Sequence, residues 1–222
     1  MSFYERLIEE TAPQREAFKA IPIIQQALKG KISCEAYLDF LTQAYHHVRH
    51  TCPLLALAAA RTNDLVYRDA LIHYLEEEHG HERWILDDIS AMGGKTLTVA
   101  EEPRLACRVM VAYAHYSIDW ISPYALLGMV HVLEGMSAAL AGRVADAVAS
   151  TLGTVDGRGV SYLRSHGTLD QGHVAFFRKL VNGIGKRDAE TAIVDCTDVM
   201  YQLYGNIFCD IGRRYPEVAH AA

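Results

Sequence analysis

The segment His166-Gly-Thr-Leu-Asp170-Gln-Gly-His173 sets two imidazoles and a carboxylate at offsets zero, four and seven. On an α-helix those offsets share one face, so three side chains of metal-ligand type would point the same way. A second group lies in Tyr74-Leu-Glu-Glu-Glu-His-Gly-His-Glu-Arg-Trp84, where Glu78 and His81 are three residues apart. Glu-x-x-His is the spacing by which helical bundles hold pairs of iron or manganese ions in their interior. The register there stays open, because Glu76, Glu77 and His79 crowd the same turn and Glu77 stands four residues before His81. The third element is Glu134, a lone carboxylate in the apolar run Leu126-Leu-Gly-Met-Val-His-Val-Leu-Glu-Gly-Met136. A buried carboxylate is costly unless cations or hydrogen-bond donors meet it. Metal ions would meet it, and so would an arginine such as Arg104, Arg108 or Arg143. His131, one turn before Glu134, reads as a packed imidazole or as an outer group supporting the ligands.

Glu78, His81, Glu134, His166, Asp170 and His173 together supply three carboxylates and three imidazoles. Such an oxygen-rich set suits iron or manganese better than a closed structural zinc site. Two ions shared among six ligands leave coordination positions for dioxygen and for part of a substrate. The competing reading of the same residues is an acidic solvated face, a buried pair and a polar cluster.

The elements that must position these residues read as helices throughout, with Pro and Gly at the joints. Glu16 to Leu28 is expected as a first helix that Pro22 kinks or restarts, and Ser33 as the cap of Cys34 to His50. A short apolar helix follows from Pro53 to Ala60. Asn63 or Asp64 is expected to cap one helix running through the acidic-histidine cluster to about Ala91, before Met92-Gly-Gly-Lys. Pro103 fits the first turn of a helix to Trp120, and Pro123 starts another to about Gly142, followed by a shorter one. Gly153 to Gly159 reads as a loop, Tyr162 to Ile184 as a helix with a possible joint at Gly167, and Asp188 to about Tyr215 as the last helix. No alternating strand pattern, repeat or linker divides the chain, so the expectation is one all-α domain over 1–222.

A 222-residue chain with half its residues apolar and 22% charged can build its own core without a metal or a disulfide. The net charge of −6 argues against a broad nucleic-acid surface. Five scattered cysteines without CxxC spacing read as free thiols of a reducing, cytoplasmic setting. Met1-Ser-Phe-Tyr-Glu-Arg is not a secretory start, and Tyr124 to Val148, interrupted by His131, Glu134, Arg143 and Asp146, reads as a buried helix rather than a membrane span. His46-His47-Val-Arg-His50 reads foremost as a basic helix terminus complementing the dipole. A histidine there lining a cavity and Arg49 clamping an anion are the alternatives. Tyr45, Tyr113, Tyr116 and Tyr162 are candidates to face such a cavity.

On Tyr74 to Trp84, Glu134 and Tyr162 to His173, the chain resembles the heme-oxygenase-like diiron oxidases. Their wider superfamily includes the thiaminase II-like (TENA/THI-4) proteins and the pyrroloquinoline quinone synthesis oxidase. The resemblance spans roughly 34–215, and the Glu134, His166, Asp170, His173 pattern is similar to that of the chlamydial death-domain-associated protein. It implies a single heme-oxygenase-like bundle of about seven to nine helices, a homodimer, and these residues as metal ligands with His81. It further implies two Fe(II) ions, with manganese as a substitute, and dioxygen as cosubstrate. A small organic carboxylate or amine would be oxidised with an external reductant, Glu134 and Asp170 taking the catalytic positions. Several members carry a carboxylate seven residues before the first histidine, where this chain has Tyr74; Glu78 is the replacement expected here, with Glu77 as the alternative. The heme oxygenases of this architecture place a proximal histidine near the N-terminus; the chain makes a poor match to them, with His46, His47 and His50 on the early helix as the candidates for that role. The rivals are a thiaminase II-like aminopyrimidine hydrolase using a cysteine nucleophile and a helical binding protein without chemistry.

Overall fold

The computed structural model describes residues 1–94, 102–154 and 157–216, the side chains of Thr168, Asp170 and Gln171 lying outside the described set. Eleven α-helices, with no strand among the described residues, make the expected all-α bundle: α1 Phe3–Glu10, α2 Ala12–Lys19, α3 Pro22–Leu28, α4 Cys34–Val48, α5 Thr51–Arg61, α6 Leu65–Glu78, α7 His81–Ala91, α8 Leu105–Tyr116, α9 Leu126–Leu152, α10 Ser161–Asn182 and α11 Arg187–Arg214. A π turn, Ser117–Ile121, and a 3₁₀ turn, Pro123–Ala125, join α8 to α9.

The helix starts obey local chemistry. Ser33 and Asp64 cap α4 and α6 through their side chains, and Pro22 opens α3. Three expectations need correction. The helix expected from Asp64 to Ala91 is two, because His79 is extended and Gly80 takes φ +94°, turning the chain between Glu78 and His81. Gly142 does not end a helix and Gly167 is not a joint. α9 and α10 run through them, because a Cβ on Gly167 would stand 2.9 Å from the Gly142 backbone nitrogen. Gly167 is there for close helix approach, whereas Gly142 has open space where a Cβ would stand. Pro103 precedes α8 rather than opening it. Arg104 is held extended by its N–H to Gln43 and by ion pairs to Asp39 and Asp210.

α11 packs against α9, α8, α4, α3 and α2, and α10 lies along α9 and touches α7 and α1. α9 is long and apolar enough to cross a membrane by length and composition alone, yet half of its most apolar stretch is buried within the bundle. That burial fits the core helix expected from its polar interruptions. The ligand-type residues therefore sit on helices whose mutual packing fixes their spacing: Glu78 ends α6, His81 begins α7, Glu134 is on α9, and His166 and His173 are on α10.

Candidate metal centre

Two groups of donor atoms form at the junction of α6, α7, α9 and α10. Glu78, His81 and His166 make one, Glu78, Glu134 and His173 the other, and within each group the donor atoms lie within 4.8 Å of one another. Glu78 belongs to both. Its Oε2 is 3.1 Å from His81 Nδ1 and its Oε1 3.7 Å from His173 Nδ1, while Glu134 Oε1 is 3.5 Å from that same nitrogen. Of the six residues expected as ligands, five are brought together. The sixth, Asp170, lies on the same helix as His166 and His173, but its side chain falls outside the described residues.

Glu77 and Glu78 stand in different surroundings. Glu78 is buried and Glu77 exposed, and Glu77 Oε2 lies 3.2 Å from Nε2 of His173, on the side of the ring away from the cluster. A histidine that gives one ring nitrogen to a carboxylate or carbonyl is fixed in tautomer and orientation, and presents the other to a metal. His166 follows the same rule: its Nδ1 is 3.1 Å from the Tyr162 carbonyl, which can only accept, so Nδ1–H donates and Nε2 carries the lone pair. His81 stacks on Trp84 at 4.2 Å between centroids and meets the edge of His166 at 4.9 Å. Two oriented imidazoles around a shared buried carboxylate are a donor set that fits a pair of divalent ions.

Electrostatics point the same way. Burial works to raise the Glu78 carboxyl, but the hydrogen bond with His81 and the electrostatic influence of His81, His166 and His173 outweigh it and hold the group below its ordinary value, hence anionic. Tyr74, one turn before Glu78, is buried and meets the edge of His173 at 5.8 Å. Burial, then Glu134, Glu77 and Glu78, push its hydroxyl far up, so it stays a neutral phenol.

An apolar cavity of about 160 Å³ opens onto this centre, with Glu78, Glu134 and His166 in its wall beside Tyr74 and Tyr162. The remaining wall is mostly Ile, Leu, Met, Val and Phe from α3, α4, α9 and α11, and no lysine or arginine lines it among the described residues. His47 is a correction to the helix-terminus reading, for it is buried and lines the cavity. Burial and, after it, His166 push its pKa down to about 3, so it is neutral there. Of the four tyrosines considered, only Tyr162 lines the cavity. Arg49 does not line it. His131 is in neither donor group; it is buried, stacked on Phe177 at 5.4 Å. The cysteines are free and none lines the cavity, and burial pushes Cys107 up to about 11 and Cys196 to about 12. Such thiols are poor nucleophiles.

Sequence reasoning missed Asp88, which is buried beneath the start of α10 and gives no motif signal, because its partners lie on a distant segment.

Comparison with known structures reproduces the architecture. A heme-oxygenase-like domain from Shewanella denitrificans superposes with TM-score 0.85 at 21% identity, covering 100% of this chain and 97% of that one. Heme oxygenase from Leptospira interrogans gives 0.78 at 18% identity (95% and 100% covered), and a TenA homologue from Pseudomonas syringae 0.76 at 13% (95% and 93%). At such identities the likeness is one of fold. A search of curated proteins finds no match. The sequence profile of the iron-containing redox enzymes matches residues 38–205, which is most of the chain. With that match and the heme-oxygenase-like bundle in agreement, the chain belongs to the family of iron-containing redox enzymes.

Proposed function

We propose that the protein is a non-heme diiron oxidase or oxygenase, of the heme-oxygenase-like diiron group, acting on a small organic substrate with an apolar body. The observation that carries this reading is that both donor groups, joined through Glu78, open onto an apolar cavity. Glu78 would be the shared ligand, His81 and His166 would complete one position, and Glu134 and His173 the other. Asp170 is proposed as a further ligand from its place on α10. An iron pair held there would supply the electrons that reduce dioxygen, and an external reductant would restore them.

The protein's own part is positional. Tyr162 and Glu77 fix the two α10 imidazoles, so the donor set is arranged before anything binds. The aliphatic wall excludes water and selects an apolar body. Since no lysine or arginine among the described residues lines the cavity, a substrate carboxylate would find its countercharge at the ions, and a substrate amine at Glu78 or Glu134. Either way the polar end is drawn to the centre and the carbon beside it is presented for oxidation. The high thiol values and the cavity without cysteine favour this reading over a cysteine-based hydrolase. The test is dioxygen uptake by anaerobically iron-loaded protein with a reductant, across a panel of short aliphatic and aromatic acids and amines. Uptake that rises with one class above the iron-free control is expected; uptake equal to that control for every compound would refute oxidase activity on this class.

A further inference from the structure

Asp88 lies two turns along α7 from His81, on the same face, and is 1% exposed. Its carboxylate accepts four hydrogen bonds, all from the start of α10. Oδ1 takes the N–H of Gly159 (3.0 Å), the N–H of Ser161 (3.0 Å) and the Ser161 hydroxyl (2.7 Å), and Oδ2 takes the N–H of Tyr162 (2.8 Å). α10 has no side-chain cap of its own, since the residue before it is Val160, whose side chain has no acceptor to offer. Its cap therefore comes from another helix, and that helix carries a ligand. The hydroxyl of Tyr37 on α4 adds a bond to the Gly159 carbonyl at 2.8 Å. From Tyr162 the connection continues, for its carbonyl accepts from His166 Nδ1 and its ring lies 4.5 Å from the imidazole. The circuit closes where His166 meets His81.

We propose that Asp88 is a positioning residue for the Glu78–His81–His166 position. It locks the start of α10 to α7 so that the two imidazoles converge, and it does so for this position rather than for Glu78–Glu134–His173. Its anchors stand four to seven residues before His166, the nearest of them Tyr162, whereas His173 is two turns further on and is held by Glu77 and by the packing of α10 on α9. The inference rests on the metal-centre reading above.

The variant that tests it is Asp88→Asn. A carboxamide can keep Oδ1 accepting from Gly159 and Ser161, but then sets its NH₂ against the Tyr162 N–H, breaking the link that leads to His166. The readouts are manganous and ferrous ions bound per chain under anaerobic conditions, the EPR signal of the manganous protein, and the thermal midpoint of the metal-free protein. Asp64→Asn serves as control, since it neutralises another carboxylate that ties helices together, the half-buried cap of α6 that also binds the Tyr124 hydroxyl and Lys186, at the end of α6 far from Glu78. The expected result is about two ions in wild type and in Asp64→Asn. For Asp88→Asn about one ion is expected, with a single-ion signal replacing the coupled pair, and affinity at the lost position down roughly 10–100-fold. Ser161→Ala, which removes one bond of the four, should weaken the same position by a smaller factor in fully folded protein. Two ions with the wild-type coupled signal in Asp88→Asn would overturn the proposal. So would parallel loss of both ions in Asp88→Asn and Asp64→Asn, tracking the fall in midpoint. Wild type that binds no ion would instead refute the metal centre itself.

Discussion

Glu78 closes one helix and His81 opens the next, and the turn at Gly80 brings the Glu78 Oε2 to 3.1 Å from His81 Nδ1. The pair is joined across a helix break rather than along a helix face. Gly80 holds φ +94°, and a Cβ there would meet nothing closer than Arg83 Nε at 4.0 Å, so a side chain costs backbone strain alone. Gly80→Ala is expected to destabilise by about 1–2 kcal/mol and to lower metal uptake. Thermal melts of the metal-free protein and metal counts on the same preparation check both effects.

Removing individual donors should separate the two positions. His81→Ala is expected to leave about one ion per chain, and so is His173→Ala. Glu78→Ala should leave none tightly bound, since Glu78 belongs to both groups. Equilibrium dialysis against manganous ion measures this directly; equal occupancy in all three variants would contradict the shared role of Glu78.

The packing of α9 on α10 predicts an asymmetry between two glycines. A Cβ on Gly167 would meet the Gly142 backbone nitrogen at 2.9 Å, whereas a Cβ on Gly142 meets nothing within 4 Å. Gly167→Ala should force the helices apart and cost about 1–3 kcal/mol. Gly142→Ala, mid-helix and unobstructed, should be neutral or stabilising by up to about 1 kcal/mol. Denaturant titrations of the two variants distinguish them.

Acid stability should depend on His131. Burial, and secondarily Arg15, push its pKa down to about 4 from an ordinary value of 6.5. As pH falls below about 6.5 the unfolded chain takes up the proton first, so stability contributed by the neutral imidazole is lost progressively until about pH 4. The loss is on the order of 2–3 kcal/mol. His131→Phe, on a site already stacked with Phe177, should flatten that part of the stability profile without altering metal content. Unfolding free energies measured from pH 7 to 4 give the comparison.

What the sequence could disclose was set by how local each cause is. Ser33 and Asp64 mark helix starts through bonds to their own neighbours and Pro22 through its fixed backbone angle, and all are where the pattern puts them. The start of α1 was equally legible, for Ser2 and Glu5 form a capping box, though it was not among the expected helices. Residue type and spacing also announced five of the donor residues: His166 and His173 share one face of α10 as their interval requires, Glu134 stands out as a lone carboxylate in an apolar run, and Glu78 and His81 meet across the Gly80 turn rather than along the single helix face that their spacing suggests. Gly142 reads as a helix end and Gly167 as a possible joint, yet both lie inside helices, since a glycine that admits a close neighbour, as Gly167 admits the Gly142 backbone, differs from a joint only in what stands opposite. His47 looked like a terminal cation, and only the surrounding α-helices make it a buried neutral group. Asp88 gave no signal at all, its partners being brought to it by tertiary folding.

The most direct test of the account is to load the metal-free protein with ferrous iron anaerobically, count iron per chain, and record Mössbauer spectra before and after admitting oxygen. Near two irons per chain, both converted from ferrous to ferric on exposure to oxygen, is the predicted result. Iron no higher than in a Glu78→Ala, His173→Ala double variant would contradict it.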